Sequence, residues 1–446
     1  MAEEKKKRAI TRLESSALVR PLVNKMYMEG TQAAMEGRPI AWSMVSWWAG
    51  DIIMRAMGVT PVYPENFGTV CAADGIAQKY LGVSAAEGFP THLCGYAQNT
   101  LGYSTEMKKA GQVPEGAPMG GMAKPTFMLC SEAYCDARFK WLQSLRQFWN
   151  VPVWTVPFRH PAYMDIGSAS ADVHKTNIDY MAAELEEFVE FLENLLKKKL
   201  DREKLESMLY NQEKVFKVWW DINELRKARP CPMHARDFWT MMVPCFYTAY
   251  DPETLAVYQQ VYNEVKARVD NGIGAIPEEK YRFVFGELPP WHSLGFFDKL
   301  AERGWNFVVE SFSYHPPPPM ELNGSGGLMH RIGRWTYWSY VHATYHAVKM
   351  GYPIVMGAQP YFNWAMEYKV DGMFAHPLVT CRAATFWLTH SMNVLRDKLD
   401  IPSISIQGDI VDLTVFDAAT ALNQAPAFEE SMDHFRKVRK SKGLDW

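Results

Sequence analysis

The sequence contains no GxxxxGK(S/T) loop, no CxxC pair and no uninterrupted apolar run of bilayer length. Without the first, any ATP hydrolysis belongs to another chain. Without the second, neither a zinc knuckle nor a compact ferredoxin-type motif is encoded. The greasiest stretch, AWSMVSWWAGDIIMRAMGV, carries Asp51 and Arg55, so no membrane span is expected. Charge of one sign is missing too: 47 basic against 50 acidic side chains leave a formal −3. That balance argues against nucleic acid or an anionic membrane as a partner held by bulk charge. Cysteine is sparse and odd in number, at seven, and the opening MAEEKKKR has no apolar signal region. A reducing, cytoplasmic setting is expected rather than a disulfide scaffold.

Aromatic residues and methionine are plentiful: 16 Trp, 21 Tyr, 23 Phe and 25 Met in 446 residues. They supply large, adaptable apolar surface, and the length allows two or three cores. Residues 1–37 are charged and Ala/Met/Leu-rich, with Leu18, Val19, Leu22, Val23 and Met26 at helical spacing. They predict an N-terminal helical arm. Residues 38–165 alternate short apolar runs (PIAWSM, PVYP, PTFMLC, VPVWTVP) with helix-like stretches, the pattern of βαβ units on a parallel sheet. Between Met181 and Ala228 there is no proline or glycine, and leucines and aromatics recur every three or four residues. This predicts a helical pair within an insert at 166–275, with Lys197, Lys198 and Lys199 on a solvated face. Residues 276–446 return to strand-like runs: YRFVFGELP, NFVVESF, YPIVMG, DGMFAHPLV and IPSISIQGD. The predicted class is therefore α/β, with two Rossmann- or flavodoxin-like parallel-sheet domains, a helical arm and a helical insert. HPPPPMELNGSGG (His315 to Gly327) reads as a long loop or lid.

Among possible metal ligands, His342 and His346 stand at i, i+4, but the HExxH glutamate and a third ligand are not evident, so a packed aromatic helix is expected. The cysteines carry more information. Cys94 opens a strand-to-helix turn, Cys130 ends a strand-like run, and Cys381 holds a similar position in the second α/β domain. In open α/β sheets ligands gather at the carboxyl ends of strands, so thiols there can converge. Three thiolates suit an iron–sulfur cubane with one iron left open. Spacing alone favours buried structural thiols, which are common core residues.

The succession VYPENFGTVCAADG, LCGYAQNTLGY, CSEAYCDARFKWLQSLRQFWNVPVWTVPFRHP, DGMFAHPLVTCR and IPSISIQGDIVD resembles the 2-hydroxyacyl-CoA dehydratase family over nearly the whole chain. Within it, length and aromatic-rich segments are most similar to the larger, B-type cluster-binding subunit of ATP-dependent benzoyl-CoA reductases. The resemblance implies a [4Fe-4S] cluster held between the two α/β domains by Cys94, Cys130 and Cys381. Cys71 and Cys135 stand as rivals, and Cys231 and Cys245 as packing thiols. It also implies a homologous smaller subunit, an activator pair carrying ATP and Mg, and reduced ferredoxin as electron donor. Benzoyl-CoA is the implied substrate, reduced to a cyclohexadiene-carbonyl-CoA in anaerobic aromatic degradation. The alternatives are a 2-hydroxyacyl-CoA dehydratase subunit and a cluster-free scaffold. His160, His292, Glu310 and His376 are the candidate proton donors, and Trp47, Trp48, Trp154 and Trp291 the candidate walls for a flat ring.

Overall fold

The computed structural model describes residues 9–44, 48–131, 135–158, 171–311, 326–355, 357–444 and 446. Helix α1 (Val19–Met35) follows a short 3-10 turn and leads to β1 (Ile40–Ser43), α2 (Trp48–Ala56), β2 (Thr60–Val62), α3 (Pro64–Ala73) and α4 (Ala77–Ala86). Then come α5 (Gly95–Ala110), β3 (Phe127–Ser131), α6 (Asp136–Trp149) and β4 (Val153–Val156). Four helices fill the middle: α7 (Ala171–Leu196), α8 (Arg202–Leu225), α9 (Ala235–Tyr247) and α10 (Pro252–Asp270). The chain ends with β5 (Tyr281–Gly286), α11 (Phe296–Ala301), β6 (Trp305–Glu310), α12 (Leu328–Met350), α13 (Gln359–Tyr368), β7 (Gly372–Ala375), α14 (Arg382–Leu399), β8 (Ser403–Ser405) and α15 (Ala418–Ser441).

The strands form two parallel sheets, β2-β1-β3-β4 and β6-β5-β7-β8. Both are ordered second, first, third, fourth along their own half, as in a doubly wound fold. Every residue of β1, β3, β5, β6 and β7 is buried, whereas β4 and β8 at the sheet edges are half covered. Parallel strands covered on both faces read as continuous apolar runs, and this is why the runs were visible in the sequence. The exception is YPIVMG. Its described residues link α12 to α13 without joining a sheet, and Ile354 is exposed. Tyr352 instead bonds back to Ala347 O and Val355 to the Gln359 side chain, so the run closes a helix and starts the next.

The proline-free middle is a helical pair, α7 and α8, broken at the three exposed lysines, where Lys197 has φ 54° and Asp201 caps α8 by accepting from Lys204 N–H at 2.9 Å. The N-terminal segment is tied down by polar bonds. Leu13 N–H donates to Asp237 at 3.1 Å, and Ser15 N–H to Glu264 at 2.8 Å. No described helix is long and apolar enough to cross a membrane. His160, Trp47 and the side chain of Trp48 lie outside what the structure describes, as does the HPPPPMELNGSGG loop except Gly326 and Gly327.

Candidate functional site

A cavity of about 350 Å³ opens at the carboxyl ends of the strands, lined by residues of both sheet halves and of α9 and α13. Its walls are largely aromatic: Tyr96, Trp239, Phe246, Tyr247, Trp291, Tyr361, Trp364 and Trp387. Three thiols face it, those of Cys94, Cys135 and Cys381. Each occupies the N-cap of a helix, Cys94 on α5, Cys135 on α6 and Cys381 on α14. Helix N-termini present unpaired N–H groups and the positive end of the dipole, so three of them aimed at one space favour negative charge there.

Burial opposes that field. It raises the Cys94 thiol well above its ordinary value, with the Cys381 thiol adding to the shift and the Ala97 amide working against it. Burial also pushes Cys381 up to about 12 and raises Cys135, on which Arg138 acts in the opposite direction. As free thiols all three are protonated at neutral pH. A bound iron reverses this, because a coordinating thiol is deprotonated by the metal. Among the described residues no three His, Cys, Asp or Glu side chains close around a single ion; a cubane differs in needing each thiolate on its own iron. Three thiols on one aromatic-lined cavity, each at a helix N-terminus, fit such a group.

The thiols are aligned by a polar stitch between the halves. Gly95 N–H, next to Cys94, donates to Thr380 Oγ1 at 3.0 Å, and Thr380, next to Cys381, donates to Asp409. Asp409 is fully buried and accepts the Val411 and Asp412 amides at 2.8 and 3.0 Å. A Cβ on Gly95 would stand 2.9 Å from Asp409 Oδ1, so the LCGY glycine permits this approach. Beside the thiols, Arg138 grips Glu65 through two bonds of 3.0 and 3.2 Å, uniting the CDAR and YPEN segments.

Cys130 is not among the described residues that line the cavity. It lies mid-sheet, fully buried, paired across to Thr155, with its Sγ against Ser131 O at 3.6 Å. Five residues on, Cys135 has left the sheet and faces the cavity, so the thiol beside Cys94 and Cys381 is its own. Cys71, Cys231 and Cys245 are buried elsewhere. None of the described candidate proton donors lines the cavity. Glu310 forms a fully buried pair with Arg226 at 2.7 Å. His376 holds Leu288 O at 2.7 Å and is pushed down to about 4 by burial. His292 sits between Ser293 and the Asp409 carbonyl. Of the described tryptophans, Trp291 lines the cavity and donates to Tyr96 OH at 2.7 Å, whereas Trp154 stacks on Phe191. His342 and His346 are engaged with Ser339 O and Glu367.

Sequence reasoning passed over Glu65, Arg138, Tyr361 and Glu287. Glu287 carried a signal: a lone carboxylate directly after an apolar strand run, in YRFVFGELP.

Residues 47–432 match the model of the family described as 2-hydroxyglutaryl-CoA dehydratase, D-component. The chain is 21% identical to the (R)-2-hydroxyisocaproyl-CoA dehydratase alpha subunit of Clostridioides difficile, over 96% of this chain and 98% of that one. It is 19% identical to the (R)-2-hydroxyglutaryl-CoA dehydratase alpha subunit of Acidaminococcus fermentans, over 93% and 96%. It is 25% identical to the B-type subunit of the Thauera aromatica benzoyl-CoA reductase, over 78% of each chain.

Proposed function

Because the chain belongs to the 2-hydroxyglutaryl-CoA dehydratase D-component family, we propose that it is the cluster-bearing larger subunit of an ATP-dependent benzoyl-CoA reductase. The carrying observation is the cavity itself, where three helix-capping thiols meet a wall of aromatic rings. Cys94, Cys135 and Cys381 would hold a [4Fe-4S] cluster; Cys135 takes the place that the resemblance gave to Cys130. When bound, the cluster supplies single low-potential electrons and one open iron. The chain's own residues do the rest. Flat apolar walls of Trp291, Trp364 and Trp387 accept an aryl ring and exclude water, which protects a reduced ring from early protonation. Arg138, anchored by Glu65, places fixed positive charge beside Cys135.

In this reading the chain works in the cytoplasm with a homologous smaller subunit and an activator pair that binds ATP and Mg and is fed by reduced ferredoxin. Its units are an arm (1–37), a first α/β domain (38–165), a helical insert (166–275) and a second α/β domain (276–446). A second reading, a 2-hydroxyacyl-CoA dehydratase subunit, is favoured by the alpha-subunit relatives that span nearly the whole chain. Anaerobic co-purification with partner subunits, followed by reductant counting, separates the two. A reductase consumes two electrons per thioester converted, a dehydratase only a catalytic trace. Iron and acid-labile sulfide near four per chain are expected, and their absence from freshly isolated complex sinks both readings in favour of a scaffold.

A further inference from the structure

Two carboxyls line the cavity, and their surroundings differ. Glu65 is gripped by the Arg138 guanidinium. Glu287 receives a hydroxyl: Tyr361 OH donates to its Oε1 at 2.7 Å, the one side-chain bond to its carboxyl among the described residues. Its backbone is held by a second hydroxyl, the amide N–H donating to Ser311 Oγ at 2.6 Å, while Ser311 and Tyr361 stand 3.1 Å apart. Glu287, Ser311 and Tyr361 all line the cavity.

Glu287 also has a φ of 76° at the turn after β5. A residue other than glycine held there costs on the order of 1–3 kcal/mol and marks a place where geometry is imposed by its surroundings. Gly286 directly before it lies close against the core: a Cβ there would lie 2.6 Å from Met373 Cε and 2.9 Å from Leu388 Cδ2. The outcome is a carboxyl turned into an apolar space. Burial pushes it up to about 7, opposed by the Tyr361 bond. A carboxyl gripped by a guanidinium and one held only by a hydroxyl, in one cavity, are environments for different roles.

We propose that Glu287 is the proton-transfer residue of this cavity, delivering its carboxyl proton to the thioester substrate while Tyr361 and Ser311 fix its direction. The proposal rests on the reductive reading above. One electron from the ferredoxin-fed activator converts the aryl thioester to a radical anion. The Glu287 O–H bond breaks and a C–H bond forms at the ring, leaving a neutral radical and a carboxylate that is reprotonated from water. A second electron and a second proton complete the reduction. Tyr361 donates to the carboxylate formed between the two transfers, which steadies it without supplying a competing acid.

The test uses the complete complex with its activator. Glu287→Gln keeps the size and the Tyr361 bond but has no transferable proton, so turnover is expected to fall at least ~100-fold. KM, iron content and the electron paramagnetic resonance of the activator-reduced complex stay within twofold of wild type, and Glu287→Asp recovers part of the rate. In cluster-free protein at mildly acidic pH, the difference infrared spectrum of wild type against Glu287→Gln should show a neutral carboxylic acid band. Full turnover in the Gln variant with normal iron overturns the proposal and leaves the reductase reading standing. Loss of iron in both the Gln and Asp variants assigns Glu287 a structural role and overturns it too. Iron-free wild type removes the reductase reading instead, and the absence of the infrared band then overturns the carboxyl assignment independently.

Discussion

In the first half of the molecule, the sheet β2-β1-β3-β4 feeds two thiols, Cys94 and Cys135, and the paired Arg138 and Glu65 into the cavity. In the second, the sheet β6-β5-β7-β8 with the same relative order feeds one thiol, Cys381, and the strained Glu287. The shared topology delivers loops to the same end of each sheet, which is what a doubly wound fold does. The residues on those loops are not equivalent. The first half concentrates an ion pair and two thiols; the second contributes one thiol and the carboxyl raised toward neutrality. A repeated scaffold thus supports a division of labour without repeating its chemistry.

The sharpest way to break this comparison is through the thiols. Cys135→Ser and Cys381→Ser are each expected to remove most of the iron from anaerobically purified complex, and Cys130→Ser to leave it in place. Iron retained in Cys135→Ser but lost in Cys130→Ser would return the second ligand to the strand. Next comes the contrast within the second half between Glu310 and Glu287. Glu310→Ala removes both carboxylate bonds to the buried Arg226, which should cost ~3–5 kcal/mol in urea unfolding; an unchanged midpoint would mean that Glu310 is not the structural carboxylate its pairing indicates.

A smaller effect follows from proton linkage. Glu287 is raised from 4.5 to about 7 by burial, so the folded chain binds the extra proton between those values. The stability this gives is full below 4.5 and is lost as pH rises through about 7. His376 has the opposite sign: it is lowered from 6.5 to about 4, so its contribution is present above 6.5 and lost as pH falls through about 4. In cluster-free chain, Glu287→Gln should therefore gain stability over wild type as pH climbs through the Glu287 window, by at most about 1.4 kcal/mol per pH unit, and then level. Urea midpoints across that range check it, and a pH-independent difference would mean that Glu287 titrates normally. Smallest is Thr380→Val, which removes the bond to Gly95 and leaves Asp409 short of a donor. It should cost ~1–3 kcal/mol and speed iron loss to a chelator; an unchanged rate would show that the halves align without this stitch.

Much of the fold was legible because parallel strands buried on both faces appear as plain apolar runs, as in YRFVFG and FMLC. YPIVMG misled for the same reason: a short apolar run records burial, not pairing, and only the sheet decides whether a partner edge is there. Cys94 and Cys381 were legible as openers of helical segments. Cys130 was favoured over Cys135 because it ends an apolar run, yet the sheet continues through Ser131 and the helix begins after Cys135. Asp136, an acidic residue in the first turn, was the local sign of that helix start. Glu287 could not be ranked from sequence, since its distinction lies in a positive φ and in Tyr361 and Ser311 from distant segments.

The stitch of Gly95, Thr380 and Asp409 also sets a clock on synthesis. Cys135 and Cys381 are about 250 residues apart along the chain, and at ~5–20 residues per second the second emerges roughly 12–50 seconds after the first. Through that interval Cys94 and Cys135 belong to a half-built site with no Thr380 to bind Gly95 and no Asp409 behind it. The full set of thiols exists only once the last quarter of the chain has docked, so a cluster held by all three would be loaded late, and its presence would report that both halves have folded.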